Sequence, residues 1–585
     1  MPKLMIDNRT VDVPAGTKVI EAAERVGIMI PRFCYHPALG SVGACRVCAV
    51  KFMEGPVTGI QMSCMVEARD AMVVSTTDEE VVDFRRHVIE WLMLHHPHDC
   101  PVCDEGGHCL LQDMTVSGGH GMRRYRGPKR THTDQYLGPL VQHEMNRCIQ
   151  CYRCVRYYQE FTGYQDLGVM QIGSRIYYGR YREGTLESPF AGNLIDICPT
   201  GVYTDKPSRY RGRRWDFERG HTVCIHCSLG CRITADSRYR EVIRHEARFS
   251  ENVNGHFICD RGRYGFPYAS HPERPRTGRV QEKAVPWGYA LEAAVDRLDE
   301  IAQKHGATAV AAAGSFRNSL ETQGMLKRIC EVKGWRAPVF GGDSVTARNV
   351  RDAVTRSEPD LAVSLREVEA SDFILMIGAD PLNEAPMLVP ALRQAVRGGG
   401  RAMVMDPRPI DLPFEFEHLP IPFDRMASGL GQVIRKCVNR DGISGLGDAA
   451  GRFYDAIPEN NNLPNAEQFS TTAGELRKSR RPVIICGTDV VPEGLPGLAA
   501  DLALLIRTAG PQAGLFYLLP GPNAFGAGLV SDLDTSLDDI LSGIESGGIH
   551  ALVAVEADLF HEAPDRERLQ NAIGRLDLLV VFDYL

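Results

Sequence analysis

Fifteen of the eighteen cysteines lie between positions 34 and 259, and they fall into four sets. Cys34, Cys45, Cys48 and Cys64 form the first, with the spacing C-x10-C-x2-C-x15-C. Cys100, Cys103 and Cys109 form the second, one ligand short of four, and three histidines run into it in HHPHDCPVCDEGGHC. The third is Cys148, Cys151 and Cys154 with Cys198, and the fourth is Cys224, Cys227 and Cys231 with Cys259. Fifteen thiols and one imidazole make sixteen ligands, enough for four centres of four ligands each. Thiolates in such sets bind soft metals, and the chemistry they point to is one-electron transfer on iron–sulfur clusters.

The spacings separate this reading from zinc binding. Zinc sites come as two close pairs of ligands, which the first set does not offer, and three cysteines within seven residues crowd a tetrahedral ion in the third. C-x2-C-x2-C instead wraps one face of a cubane, as in bacterial ferredoxins, where the Cys-Pro cysteine can serve a neighbouring cluster. Cross-pairing of Cys198 with another set therefore stays open. In the first set the opening gap is longer than the plant-type C-x4-C, and Gly40 and Gly43 let backbone amides approach sulfur. For the second set His95, His96 and His98 are all within reach. An imidazole in place of a thiolate removes one negative charge and should raise the cluster's potential, as in Rieske centres.

Composition narrows the setting. No apolar h-region opens the chain and no run of eighteen apolar residues appears, so neither an export signal nor a membrane span is expected. Eighteen cysteines without an export signal argue for metal binding in a reducing compartment rather than disulfides. Up to residue 275 there are 35 basic and 32 acidic side chains, and beyond it 31 and 42. Dense basic runs at 123–130 and 206–219 supply counter-charge for anionic clusters, and the acidic whole excludes nucleic acid as the partner.

Several elements must position these ligands. Residues 3–13 alternate around Asp7-Asn8 and read as a hairpin, followed by a helix over 17–26, the opening of a ferredoxin-type β-grasp domain. Residues 78–95 predict an amphipathic helix with a Thr77–Glu80 capping box and an apolar face of Val82, Val88, Ile89, Leu92 and Met93. From about 276 apolar runs such as FILMIGAD, RAMVMD and RPVIICG alternate with helical stretches, which predicts parallel sheets buried on both faces. Cys330, Cys437 and Cys486 read as small buried thiols.

HHPHDCPVCDEGGHCLLQD and NRCIQCYRCVRYYQE, with PRFCYHPALGSVGACRVCAV before them, resemble the large iron–sulfur subunit family of NADH:quinone oxidoreductase, respiratory complex I. The resemblance implies a 2Fe–2S cluster on Cys34, Cys45, Cys48 and Cys64. It also implies three 4Fe–4S clusters: on His96, Cys100, Cys103 and Cys109, on Cys148, Cys151, Cys154 and Cys198, and on Cys224, Cys227, Cys231 and Cys259. The family's histidine ligand directly precedes proline, and His96 precedes Pro97. The path implied runs from the Cys34 cluster to the Cys148 cluster to the His96 cluster and exits to a ferredoxin-like 8Fe–8S subunit. The Cys224 set looks like the first domain of molybdopterin oxidoreductases and is implied to be structural.

The function implied is a relay from an FMN- and NADH-binding subunit, with its small 2Fe–2S partner, toward quinone-proximal subunits. It would sit peripherally on the cytoplasmic side of a bacterial inner membrane, touching the membrane only through partners, with no catalytic residue of its own. The domains expected are 1–77 (a 2Fe–2S domain), 78–118 (a 4Fe–4S domain with one histidine and three cysteine ligands), 119–220 (a ferredoxin-like 4Fe–4S domain with four cysteine ligands), 221–275 (a molybdopterin-oxidoreductase-type cluster domain) and 276–585. The last is a doubly wound α/β region expected to be incomplete at its C-terminus. Gly378-Ala379-Asp380-Pro381 and Asp406-Pro407-Arg408 are similar to family loops that cradle a pterin dinucleotide. GWRAPVFGGDSVTARNVRDAV has no cysteine where the family's molybdenum ligand falls, so no molybdopterin is expected. The alternatives are the α subunit of an NAD-dependent molybdenum formate dehydrogenase, an iron-only hydrogenase whose active-site cysteines are missing here, and a zinc-bound scaffold.

Overall fold

The computed structural model describes residues 1–118, 121, 124–438, 440, 443, 448–458, 465–532 and 535–584, so Arg123 of the first basic run lies outside the described residues. Two compact units emerge. One comprises Met1–His221, Thr234–Arg248 and His256–Tyr264, and the other Thr222–Ile233, Phe249–Gly255 and Gly265–Leu585.

The first unit opens with the expected hairpin, β1 (Lys3–Ile6) and β2 (Arg9–Asp12), paired Ile6 to Arg9. Asp7 and Asn8 take φ of 43° and 64°, the left-handed pair that a tight two-residue hairpin needs. Helix α1 (Val19–Arg25) begins two residues later than predicted, because Lys18 is still extended at its N-cap. It buries Val19, Ile20, Ala22 and Ala23. Three more strands, β3 (Ala49–Glu54), β4 (Gly59–Met62) and β5 (Val73–Ser75), complete a sheet of order β2-β1-β5-β3-β4 with β1 and β5 parallel. Cys48 and Cys64 are part of its core, so the metal loop and the sheet share one interior.

Helix α2 (Glu79–Met93) differs from its prediction in two respects. The cap is Asp78, whose carboxylate accepts from Glu80 N at 3.0 Å, and the Thr77–Glu80 box does not form. Lys51 on β3 holds Asp78 at 3.1 Å and Glu80 at 3.0 Å, which fixes the capping residue. Its fully buried apolar face is Val81, Val88 and Ile89, with Val82 only half-buried. The helix ends just before the histidine loop and faces α3 (Leu110–Ser117), which leaves the last cysteine of the second set.

In the second unit the parallel sheets appear as expected. One orders Val339–Phe340, Val310–Gly314, Ala551–Val555 and Leu578–Phe582, and the other Glu417–Leu419, Arg401–Met405, Phe373–Ile377, Pro482–Gly487 and Gly514–Leu518. Every pairing in both is parallel. Helices such as Leu320–Lys333, Leu388–Arg397 and Leu495–Thr508 cover them, and apolar clusters line both faces of the four-stranded sheet. Cys330, Cys437 and Cys486 are buried within these layers, as read from the sequence. Among the described residues no helix is long and apolar enough to cross a membrane.

Candidate metal centres

Cys34, Cys45, Cys48 and Cys64 are all buried. The Cys48 and Cys64 sulfurs lie 3.3 Å apart, and Cys34 N donates to the Cys45 sulfur at 3.5 Å. Hydrogen bonds within the tetrad hold the Cys34 and Cys48 thiols below their ordinary pKa and push Cys45 and Cys64 above it. The connecting loop closes through left-handed residues, Gly40 (φ 68°), Gly43 (φ 69°) and Arg46 (φ 60°). Two sulfur pairs drawn from a loop and a strand end suit a two-iron centre, each pair able to hold one iron.

His96, Cys100, Cys103 and Cys109 line one cavity of about 210 Å³, walled also by Met93, Leu111 and Val116. His96 is buried, and its Nδ1 has no hydrogen-bond partner. Burial pushes its pKa down to about 4, so the imidazole is neutral with a lone pair available. A Cβ on Gly201 would stand 2.5 Å from the Cys103 sulfur, and one on Gly106 2.6 Å from the Cys100 carbonyl. Glycine at both positions leaves the cavity open. A buried imidazole nitrogen without a partner, on a residue that lines one cavity with three cysteines, fits a metal cluster that these four residues would hold. His95 instead accepts from Arg130 N at 3.2 Å.

Cys148, Cys151, Cys154 and Cys198 act on one another electrostatically. Burial pushes the Cys151 thiol up to about 12, so in the absence of metal these thiols stay protonated. Gln150 (φ 56°) and Tyr152 (φ 65°) adopt left-handed conformations that turn successive cysteines to one side. Gln150 N donates to the Cys148 sulfur at 3.3 Å. A π-helical turn, Arg156–Phe161, follows the last of the three, the kind of irregularity that collects at functional sites. In the fourth set Cys224, Cys227 and Cys231 are buried in the second unit, where Cys224 N donates to Cys231 O at 2.9 Å. Cys259 is buried in the first unit and accepts from Gly262 N at 3.4 Å.

Arginines that spacing alone did not single out brace these loops. Arg147 is buried between Asp99, at 2.7 Å, and Glu144, and so ties the histidine loop to the start of the third set. Arg213 donates to the carbonyls of Pro101, Cys103 and Gly106, clasping the second set from outside. The expected counter-charge for clusters is thus only part of what the run 206–219 does. Arg209 pairs with Glu144, Arg211 with Glu241, Arg214 with Glu246, and Arg219 with Asp236 and Glu246. In the second unit, Arg408 chelates Asp406 through two bonds of 2.9 Å and reaches Glu384 at 3.3 Å, at the strand ends expected to resemble a pterin cradle.

The family model for molybdopterin oxidoreductase matches residues 279–585, more than half of the chain. The chain belongs to the molybdopterin oxidoreductase family. Ahead of that region, four further family models match in succession. They are a 2Fe-2S iron-sulfur cluster binding domain (2–79), the NADH-ubiquinone oxidoreductase-G iron-sulfur binding region (85–124), the ferredoxin-like domain of NADH-quinone oxidoreductase subunit 3 (138–204), and a molybdopterin oxidoreductase Fe4S4 domain (218–271). This member of the family is a homologue of the G subunit of NADH-quinone oxidoreductase. It is 37% identical over 601 residues to the G subunit of Pseudomonas fluorescens and 36% identical over 602 to that of Shewanella oneidensis. Both alignments take in all of this chain and 65% and 66% of the relatives, so the chain spans less than two thirds of their length. An NAD+-reducing [NiFe]-hydrogenase is 28% identical over 36% of this chain and 90% of that one, with a TM-score of 0.33, too loose to bear on the fold.

Proposed function

We propose that the chain is the electron-transferring iron–sulfur subunit of the peripheral arm of an NADH-quinone oxidoreductase, set between a flavin- and NADH-binding partner and the quinone-proximal subunits. One observation carries the reading. Cys34, Cys45, Cys109 and Cys151, drawn from three ligand sets, belong to a single contiguous apolar core with Phe33, Val47, Val88 and Leu111. When bound, a 2Fe–2S cluster on the Cys34 set and 4Fe–4S clusters on the His96 and Cys148 sets would supply one-electron carriers, and a 4Fe–4S cluster on the Cys224 set would be structural.

The chain's own residues hold those carriers close together, keep water out, and set the charge around each one. His96 contributes a neutral ligand where the other sets contribute thiolates. Arg147 and Arg213 fix the loops from behind. No side chain is assigned as acid, base or nucleophile. The partners on this reading are the FMN/NADH-binding subunit with its small 2Fe–2S companion and a ferredoxin-like 8Fe–8S subunit. Contact with the cytoplasmic face of the membrane comes through them.

Anaerobic iron and sulfide quantitation, with EPR of the reduced chain, tests this directly. Iron should match one two-iron and three four-iron clusters, and each should give its own signal. Zinc without sulfide would overturn the reading, and stoichiometric molybdenum would favour a formate-dehydrogenase-type enzyme.

A further inference from the structure

Among the described residues of the first unit five arginines are buried: Arg147, Arg153, Arg180, Arg244 and Arg263. Four of them hold carboxylates. Arg147 pairs with Asp99, Arg180 with Asp166, Arg244 with Asp236 and Arg263 with Asp196. Arg153 is the exception, because its hydrogen bonds go only to neutral carbonyls. Nη1 donates to Ile197 O at 3.3 Å and Nη2 to Tyr35 O at 2.6 Å, while the buried Nε has no partner. A guanidinium that is 7% exposed and hydrogen-bonds only to carbonyls is a buried charge without a carboxylate bonded to it.

Its two carbonyl partners show where the compensation lies. Tyr35 follows Cys34 of the first set, and Ile197 precedes Cys198 of the third. In sequence Arg153 itself stands between Cys151 and Cys154. The cation is therefore placed between two ligand sets and belongs to neither alone.

We propose that Arg153 is a positioning residue that acts as the shared counter-ion of the centres held by Cys34, Cys45, Cys48 and Cys64 and by Cys148, Cys151, Cys154 and Cys198. This rests on the iron–sulfur reading above. A fixed positive charge stabilises the reduced, more negative form of both centres, and because it is common to the two it raises both potentials in the same direction. No proton leaves Arg153, since a guanidinium stays charged throughout.

The test is an EPR-monitored redox titration of the anaerobically purified full chain as wild type, Arg153→Lys and Arg153→Met, after iron and sulfide have been quantified in each. The Met variant should shift both centres to more negative potentials, with iron content and the His96 centre unchanged, and the Lys variant should shift them much less. Loaded protein in which neither centre moves, only one moves, or Lys and Met shift equally overturns the proposal. Should neither variant load its clusters, Arg153→Gln, which keeps neutral donors for the carbonyls of Ile197 and Tyr35, takes the place of the Met variant. A shift of both centres to more negative potentials supports the shared counter-ion, and a shift of one or none, or a protein that loads neither set, overturns it. Absence of iron and sulfide from the wild type would instead remove the iron–sulfur reading itself.

Discussion

A neutral imidazole among fifteen thiols is what distinguishes His96, and its effect is predictable in sign. On the proposed reading His96→Cys would keep four ligands in the cavity and add a negative charge. The potential of that one centre should fall by on the order of 100 mV, while the Cys34 and Cys148 centres hold still. An EPR titration that finds it unmoved would show that His96 is not a ligand. His143 gives a second residue-scale test, away from the ligands. It is buried, with Nε2 3.0 Å from Tyr178 O and Nδ1 accepting from Gln135 N at 3.2 Å, so a second ring proton would point at an N–H. Burial pushes its pKa down to about 4 from an ordinary 6.5. Above pH 6.5 both folded and unfolded chains are neutral there, and no stability depends on it. Between 6.5 and 4 only the unfolded chain takes up the proton, so stability falls, by roughly 3 kcal/mol in total before the loss levels off. Anaerobic thermal melts across this range should show that acid-sensitive component in the wild type and not in His143→Gln. The cysteine sets were legible because most of each set is local in sequence, as in C-x2-C-x2-C. Gly201, Arg147 and Arg153 were not legible as site residues, because their roles come from contacts with loops distant along the chain.

At the scale of elements, the cap of α2 falls one residue later than the Thr77–Glu80 box predicted. Thr77 and Asp78 both suit an N-cap, and pairing of Lys51 with Asp78 decides between them. Asp78→Ala should cost about 1 kcal/mol, as an N-cap does, and Thr77→Ala should be close to neutral, measured by the melting midpoint of the loaded chain. If Thr77→Ala costs as much, the observed cap is not the one that matters. Long buried strands such as Phe373–Ile377 and Pro482–Gly487 were readable because continuous apolar runs between helices mean a parallel interior. Glu417–Leu419, Val339–Phe340 and Gly514–Leu518 were not, being edge strands that are short or only partly buried.

For the whole molecule, the distribution of ligands predicts unequal dependence on metal. The Cys34, His96 and Cys148 sets all lie in the first unit, and cysteines from each of them share one apolar core. Removing iron with a chelator under reducing conditions should therefore unfold most of that unit, since metal-binding energy there is folding energy. Amides in the parallel sheets of the second unit should remain protected from hydrogen exchange, and their simultaneous loss would contradict this division. The four-stranded sheet carries a further consequence. Its strands Val310–Gly314 and Val339–Phe340 precede the whole five-stranded sheet in the chain, whereas Ala551–Val555 and Leu578–Phe582 follow it. On the ribosome, the later-starting sheet can close while the earlier one still waits for half of its strands. The nascent chain must then shelter an apolar ribbon around Val310–Gly314 through the synthesis of more than two hundred residues, a long wait for exposed strand edges and a natural point for a chaperone to bind.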